Sequence, residues 1–342
     1  MQTQQLGNTG VEVSALCLGT MYFGTKNDKT TSYHLLDHYL DAGGTFLDTA
    51  NIYSRWIEGF QGGESETLLG EWMKERGNRD KVFLAAKVGF DYQDVPISLR
   101  ADLIEQECNR SLKRLGVETI DLYYAHKDDR DTPLEETMEA FDRLIQAGKV
   151  RYIGVSNFKG YQIQKANDIA NQRGWEPFTC LQPLYNLLDR FIEWELTEVC
   201  ENEGMGIIPW SPLRGGWLTG KYRRGMNELP DDGRIKKASQ EGWSESWDNY
   251  NNDRTWDIIE TMVSIAEEIG KEPAQVALNW VKDRPLVTSP IIGVRTMKQL
   301  ESKLGSIGWE LSEEHKKTLN DISEMSLPYY PYQFVEGARA RR

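Results

Sequence analysis

Eight short apolar runs recur along the chain, each followed by a longer stretch with helical periodicity, and this alternation most constrains what the chain can fold into. The runs are 15–18, 45–48, 82–87, 120–126, 150–156, 179–183, 206–209 and 287–292. Helical spacing covers 31–42, 64–76, 100–115, 134–147, 160–172 and 195–203 between them; 254–268 and 273–282 precede the last run, and 297–304 follows it. Runs such as VFLAAK and DLYYAH are apolar on both faces, which suits parallel strands covered by helices. Eight strand–helix repeats within one chain of 342 residues predict an α/β fold, a single (β/α)8 or TIM barrel over 1–342. An open doubly wound sheet is the alternative.

Local signals support the helices. Gly116 closes SLKRLG and Gly148 closes the following helix. Thr132-Pro133 ahead of Leu134-Glu135-Glu136 predicts Thr132 as N-cap, Pro133 at the first helical position and acids in the first turn. Two segments fall outside the alternation. Gly7-Asn8-Thr9-Gly10 between 3–6 and 11–14 has the pattern of a β-hairpin, placed to plug the bottom of a barrel. The polar stretch 211–252, after the seventh strand, is a long loop of the kind that is functional or disordered. The tail 326–342 is aromatic and then basic, suited to covering the barrel mouth or a neighbouring subunit. No internal repeat is present.

Composition removes several function classes. Forty Lys and Arg against 53 Asp and Glu leave a net charge of −13. Phosphate-rich surfaces need clustered cations, so nucleic acid and anionic membranes are poor partners, while one phosphorylated small molecule in a basic pocket remains open. Cys17, Cys108, Cys180 and Cys200 show no CxxC spacing, which argues against a disulfide scaffold or structural zinc and fits a reducing, cytoplasmic compartment. The start MQTQQLGNTG lacks a signal-peptide pattern, and no 18-residue apolar stretch exists, so no membrane association is expected.

In a barrel, functional groups sit where strands run into the following loops. Asp48, Lys87 and His126 end the second, third and fourth strands, and Tyr53 lies in the loop after Asp48. Each alone has an ordinary explanation as a cap, an ion pair or packing. Jointly they converge. Lys87 requires a partner if buried, and Asp48 is the natural one. A cation beside a phenol is expected to lower its pKa, so that Tyr53 passes a proton to a carbonyl oxygen which His126 orients or polarises.

FLDTANIY, the lysine closing FLAAK, the histidine of YYAH and GKVRYIGVSNF resemble the signature set of the aldo-keto reductase superfamily, in family order from LGNTGVEVSALCLGT to PIIGVRTMKQLE. The branch most similar is that of bacterial aryl-alcohol-dehydrogenase-like and sugar-oxidoreductase-like proteins. The resemblance implies a barrel binding NADP(H), less often NAD(H), with no GxGxxG turn; none is present. It implies Tyr53 as general acid/base, Lys87 and Asp48 as its tuning pair, and His126 placing the carbonyl. It implies cofactor contacts at Thr20, Met21 and Asp48; at Ser156, Asn157 and Gln182 for the carboxamide; and at Trp210 for stacking. Ser211, Leu213, Gly215, Leu218 and Gly220 correspond to its pyrophosphate belt. Gly293, Arg295, Thr296 and Gln299 correspond to the ribose and 2′-phosphate segment, where the Arg295 guanidinium favours NADP(H). Where the family often has an acid or amide pair, this chain has Ser302 and Lys303, and the lysine also suits a phosphate.

Tyr22, Phe23, Trp56 and Trp217 are expected near the mouth, where they could stack on a ring; Arg55, Lys127 and Arg214 could meet a hydroxyl-rich or acidic substrate. His34 and His38 have zinc-like i, i+4 spacing but no third ligand, and read as a solvent-facing helix; no metal is expected. The expected activity is reversible hydride transfer between nicotinamide and a carbonyl or alcohol, on a sugar or small polar aldehyde. A cofactor-holding regulatory subunit of the same fold and a metal-dependent barrel hydrolase or isomerase stand as alternatives. The oligomeric state is not readable.

Overall fold

The computed structural model describes residues 1–231 and 233–334. An antiparallel hairpin, β1 (Thr3–Gln5) and β2 (Glu12–Ser14), comes first. Eight parallel strands follow: β3 (Cys17–Gly19), β4 (Phe46–Asp48), β5 (Phe83–Val88), β6 (Ile120–Ala125), β7 (Val150–Ser156), β8 (Cys180–Gln182), β9 (Gly206–Ile207) and β10 (Ile291–Gly293). Their spatial order is β10-β3-β4-β5-β6-β7-β8-β9. Ile207 N donates to Leu286 O, Thr288 N to Ile207 O and Ile291 N to Pro209 O, each at 2.8 Å, so the segment entering β10 joins β9 and closes the ring. This is the expected (β/α)8 barrel.

The helices are α1 (Lys29–Asp41), α2 (Glu64–Arg76), α3 (Ala101–Leu115), α4 (Leu134–Gln146), α5 (Gly160–Arg173), α6 (Leu196–Glu203), α7 (Arg234–Glu241), α8 (Trp247–Tyr250), α9 (Asp253–Glu268), α10 (Pro273–Lys282), α11 (Met297–Leu304) and α12 (Glu313–Ser323). Gly116 ends α3 in the left-handed conformation with φ +64°, and Gly148, φ +70°, follows the end of α4. One cap is corrected. Pro133, with ψ 135°, stands outside α4 as its N-cap, and the Thr132 hydroxyl donates to Asp129 Oδ2 at 2.6 Å.

Strand periodicity decides which residues reach the interior. Cys17, Phe46, Ala85, Leu122, Tyr124, Cys180 and Ile208 form one buried cluster inside the ring. Leu18, Leu47, Leu84, Ala86, Tyr123, Ile153 and Leu181 belong to the larger cluster under the helices. Leu6 and Val13 join the interior cluster, and Asn8 N donates to Gly204 O at 2.9 Å, so the hairpin does plug the ring. Side chains alternate faces along a strand. Two residues after the interior residues Phe46, Ala85, Tyr124, Cys180 and Ile208 come Asp48, Lys87, His126, Gln182 and Trp210, on the same face at the opposite end.

Two expectations need revision. The stretch 211–252 is not a structureless loop: it holds a 3-10 segment (Arg214–Thr219), α7 and α8. Trp217 lies at its centre, fully buried among Tyr222, Trp247, Tyr250 and Trp256. Periodicity also passed over α12, which Ser312 caps by accepting from His315 N. In the tail, Tyr332 packs against Trp194 with centroids 6.3 Å apart, and Tyr329, Tyr330 and Phe334 are exposed. Residues 335–342, including the basic end, lie outside the described residues.

Candidate active site

Asp48, Tyr53, Lys87 and His126 meet at the C-terminal mouth of the barrel. Lys87 and Asp48 are buried on β5 and β4. The Lys87 ammonium has three protons and three acceptors: Asp48 Oδ1 in a short contact, Thr49 O at 2.9 Å and the Tyr53 hydroxyl oxygen at 2.6 Å. Tyr53 donates to Asp48 Oδ1 at 3.0 Å, and Gln182 Nε2 donates to the other carboxylate oxygen at 2.9 Å. The Tyr53 and His126 rings stand 6.3 Å apart, edge to face.

The electrostatics revise one expectation. Burial, then the Asp48 carboxylate, push the Tyr53 phenol well above its ordinary pKa instead of lowering it. Burial also pulls the Lys87 ammonium down, with Asp48 opposing. Burial, and secondly the Lys87 charge, hold His126 well below the usual imidazole range, so it is neutral near pH 7. A neutral imidazole and a protonated phenol are both hydrogen-bond donors facing one point. His126 Nδ1 is buried without a hydrogen-bond partner among the described residues.

Ser156, Asn157 and Gln182 join this cluster. Ser156 Oγ donates to Gln182 O at 2.7 Å, and Asn157 Nδ2 donates to His126 O at 2.9 Å. Asn157 adopts φ +59°, as Ser54 (+72°), Ser211 (+51°) and Arg214 (+45°) do in neighbouring loops. Such backbone conformations cost of order 1 kcal/mol each in non-glycine residues and cluster at functional sites. Trp210 is half-buried, and its Nε1 is buried without a partner among the described residues.

A second group forms around the N-terminus of α11. Thr296 caps that helix through Gln299 N, Gln299 Oε1 accepts from Arg295 N at 2.8 Å, and Lys303 Nζ donates to Gly293 O in a short contact. Burial and the charges of Arg295 and Lys221 bring the Lys303 ammonium down to about 8. Lys26 is lowered by burial and by Lys237, Arg295 and Arg234. Asn27 Nδ2 donates to Arg295 O at 3.1 Å and Arg234 to the Tyr22 hydroxyl at 3.0 Å, so three segments bring their cations to one place. These cations disfavour one another's charged forms, and Arg234 is also paired with Glu245 at 2.6 Å. Gly293 is exposed, with open space where a Cβ would stand.

Several predicted contacts face elsewhere. Arg214 is buried and turned inward, to Asp189 Oδ2 at 3.0 Å, the Tyr250 hydroxyl at 2.7 Å and Ser244 Oγ at 3.1 Å, so its side chain does not meet a substrate. Phe23, Trp217 and Leu218 are core residues, and the Thr20 hydroxyl is spent on Asp48 O and Ser65. Gly215 has Glu245 against it, and Gly220 packs on Pro273. Leu213 is mostly buried and Met21 half-buried; Ser211 O accepts from Asn186 Nδ2. Trp56 remains exposed, Arg55 pairs with Asp91, and the Lys127 ammonium lies 5.4 Å from the Phe90 ring centre. Phe90, absent from the sequence candidates, packs edge to face with His126, ring centres 4.7 Å apart. It lies three residues beyond Lys87, in a loop where strand periodicity no longer applies. His34 is exposed, and among the described residues no three His, Cys, Asp or Glu side chains are placed to hold a metal ion.

The aldo/keto reductase family model matches residues 15–324. The chain belongs to the aldo/keto reductase family. An uncharacterized oxidoreductase, YrpG, of Bacillus subtilis (strain 168) is 38% identical, over 94% of this chain and 96% of that protein. Protein tas of Escherichia coli (strain K12) is 32% identical, over 92% and 95%. Aryl-alcohol dehydrogenase [NADP(+)] of Phanerodontia chrysosporium is 31% identical, over 96% and 87%. Membership makes this aldo/keto reductase an oxidoreductase acting on small molecules, with a nicotinamide cofactor as the family generally uses. The residues that could hold such a cofactor include Trp210, whose indole N–H has no partner among the described residues, and the cations gathered at α11. Among the described residues no helix is long and apolar enough to cross a membrane.

Proposed function

We propose that the protein is an NADP(H)-dependent carbonyl reductase and alcohol dehydrogenase with Tyr53 as general acid/base. The observation that carries this reading is the contact of the Tyr53 hydroxyl with both Lys87 and Asp48 at the barrel mouth. The cofactor, when bound, supplies a hydride to the carbonyl carbon. Tyr53 gives its proton to the carbonyl oxygen, the neutral His126 steadies that oxygen by a hydrogen bond, and Lys87 stabilises the phenolate left behind. Ser156, Asn157 and Gln182 hold the carboxamide end, and Trp210 stacks beside it. Arg295 and Lys303 would take the 2′-phosphate.

The substrate is a small carbonyl compound. The composition and branch resemblance lean towards a sugar or small polar aldehyde. Phe90 against His126, with exposed Trp56 nearby in sequence to Tyr53, favours an aryl aldehyde instead, as does the name of the Phanerodontia chrysosporium relative. A panel of aldoses, oxo-sugars and aryl aldehydes with NADPH and NADH in parallel decides. Turnover of aryl aldehydes with NADPH favoured by at least about tenfold is expected, since one phosphate–guanidinium contact is worth about 1.5–3 kcal/mol. Equal use of NADH would overturn the assignment of Arg295 and Lys303.

Lys303 adds a pH signature. A bound phosphate favours the charged ammonium, whose pKa in the free protein is about 8. NADPH affinity is therefore expected to be greatest near pH 7 and to weaken as pH rises through about 8, while NADH affinity stays level. Fluorescence titration of both cofactors across that interval checks this; parallel curves for the two would refute it.

A further inference from the structure

Tyr53 sits in a loop, and a loop must be held if its phenol is to stay in register with two strand-end side chains. Ser54 Oγ donates to Met21 O at 2.7 Å on one side of it. On the other side Asn51, fully buried, donates from Nδ2 to Glu107 Oε2 at 2.9 Å. Glu107 is a buried carboxylate on α3, behind the barrel wall. The same oxygen accepts from the Tyr92 hydroxyl in a short contact, and the other accepts from Arg110 Nη1 at 2.9 Å. Tyr92 belongs to the loop that carries Phe90. Ala50, Ile52, Tyr92 and Val95 form a small buried cluster of their own, with Tyr53 and Phe90 packed on it. Gly62, φ +98°, completes it: a Cβ there would come within 2.8 Å of both Asn51 O and the Tyr92 ring. Beyond Tyr92, Arg114 pairs with buried Glu66, and Arg110 also faces Asp94 at 3.7 Å.

One carboxylate thus ties together the loop that presents the proton donor and the loop whose phenylalanine backs His126. The mechanism does not use Glu107 directly, and a buried anion satisfied by donors from two catalytic loops is more than helix packing requires. We propose that Glu107 is a positioning residue, which through Asn51 and Tyr92 sets Tyr53 against Lys87 and His126. The inference rests on the proposed role of Tyr53.

The test uses the full-length protein with Glu107→Ala, Glu107→Gln, Tyr92→Phe and Asn51→Asp, read by steady-state kinetics and by NMR of ring-13C-labelled tyrosine, with Tyr53→Phe assigning the signal. Displacing a proton donor by up to about 1 Å costs roughly 10–100-fold in rate. Glu107→Ala is therefore expected to lower kcat by about that factor, with the cofactor KM unchanged within about twofold. Glu107→Gln retains one oxygen to accept from Asn51 and Tyr92 and should recover most of kcat. Asn51→Asp replaces the donor to Glu107 by an acceptor and should lower kcat as Glu107→Ala does. The Tyr53 ring signal should move in Glu107→Ala and Tyr92→Phe and return in Glu107→Gln. A folded Glu107→Ala or Tyr92→Phe with parental kcat and an unmoved Tyr53 signal overturns the proposal. Should the parent reduce no carbonyl, the role of Tyr53 fails, and the NMR arm still decides whether Glu107 holds the ring.

Discussion

Replacing Tyr53 by Phe removes the proton donor and leaves the ring packing in place, so turnover should fall by at least about 10³-fold, the upper part of the range for a positioned acid. Cofactor binding should survive within about twofold, because Phe keeps the ring against the Ala50 and Ile52 cluster. Steady-state rates and fluorescence titration of NADPH measure the two effects. Retained turnover would sink the mechanism, and a loss of binding equal to the loss of rate would recast Tyr53 as a structural residue. With saturating NADPH the parent should also show a level rate of carbonyl reduction from about pH 6 to about 8. Burial and Asp48 keep the phenol protonated throughout that window, and His126 stays neutral because its pKa is depressed below it. Alcohol oxidation needs the phenolate and should instead rise with pH. A bell centred on an ordinary imidazole pKa would contradict this arrangement.

The second large effect is on stability as well as rate. Lys87 and Asp48 are both buried, and Lys87→Met leaves the Asp48 carboxylate with Tyr53 and Gln182 as donors but no counter-charge. Breaking a buried ion pair by removing one partner costs about 3–5 kcal/mol, whereas removing both charges is often close to neutral. Lys87→Met should therefore lower stability by about that amount, and adding Asp48→Asn should restore most of it. Neither protein should reduce carbonyls at more than a small fraction of the parental rate, since a phenolate beside Tyr53's site then has no cation. Denaturant melts of the two variants against the parent decide. A double variant no more stable than Lys87→Met would show that the pair is not the source of the cost.

The barrel was legible because its signal is local. Strands such as β5 and β6 carry two apolar faces, and the helices carry their own spacing, with glycine stops at Gly116 and Gly148. The candidate catalytic set was legible for the same reason. Asp48, Lys87 and His126 lie two residues beyond interior positions Phe46, Ala85 and Tyr124, so period two alone sends them to the mouth. Loop positions behaved differently. Arg214 stands in a loop expected at the mouth, yet Asp189, 25 residues earlier in the chain, and Tyr250, 36 later, draw it inward. Trp217 was drawn into an aromatic core in the same way. Phe90 and Glu107 carry no periodic signal that distinguishes them from any loop phenylalanine or helix glutamate.

The sequence by itself determined the eightfold alternation, the hairpin plug, and which strand-end side chains share the barrel interior, because these follow from neighbours within a few residues. Only the tertiary structure decided the direction of the Tyr53 shift, the inward turn of Arg214, the gathering of Lys26, Arg234, Arg295 and Lys303, and the grip of Glu107 on two loops. Desolvation and charge pairing depend on which distant segments exclude water from a group, and no window of the chain contains that information.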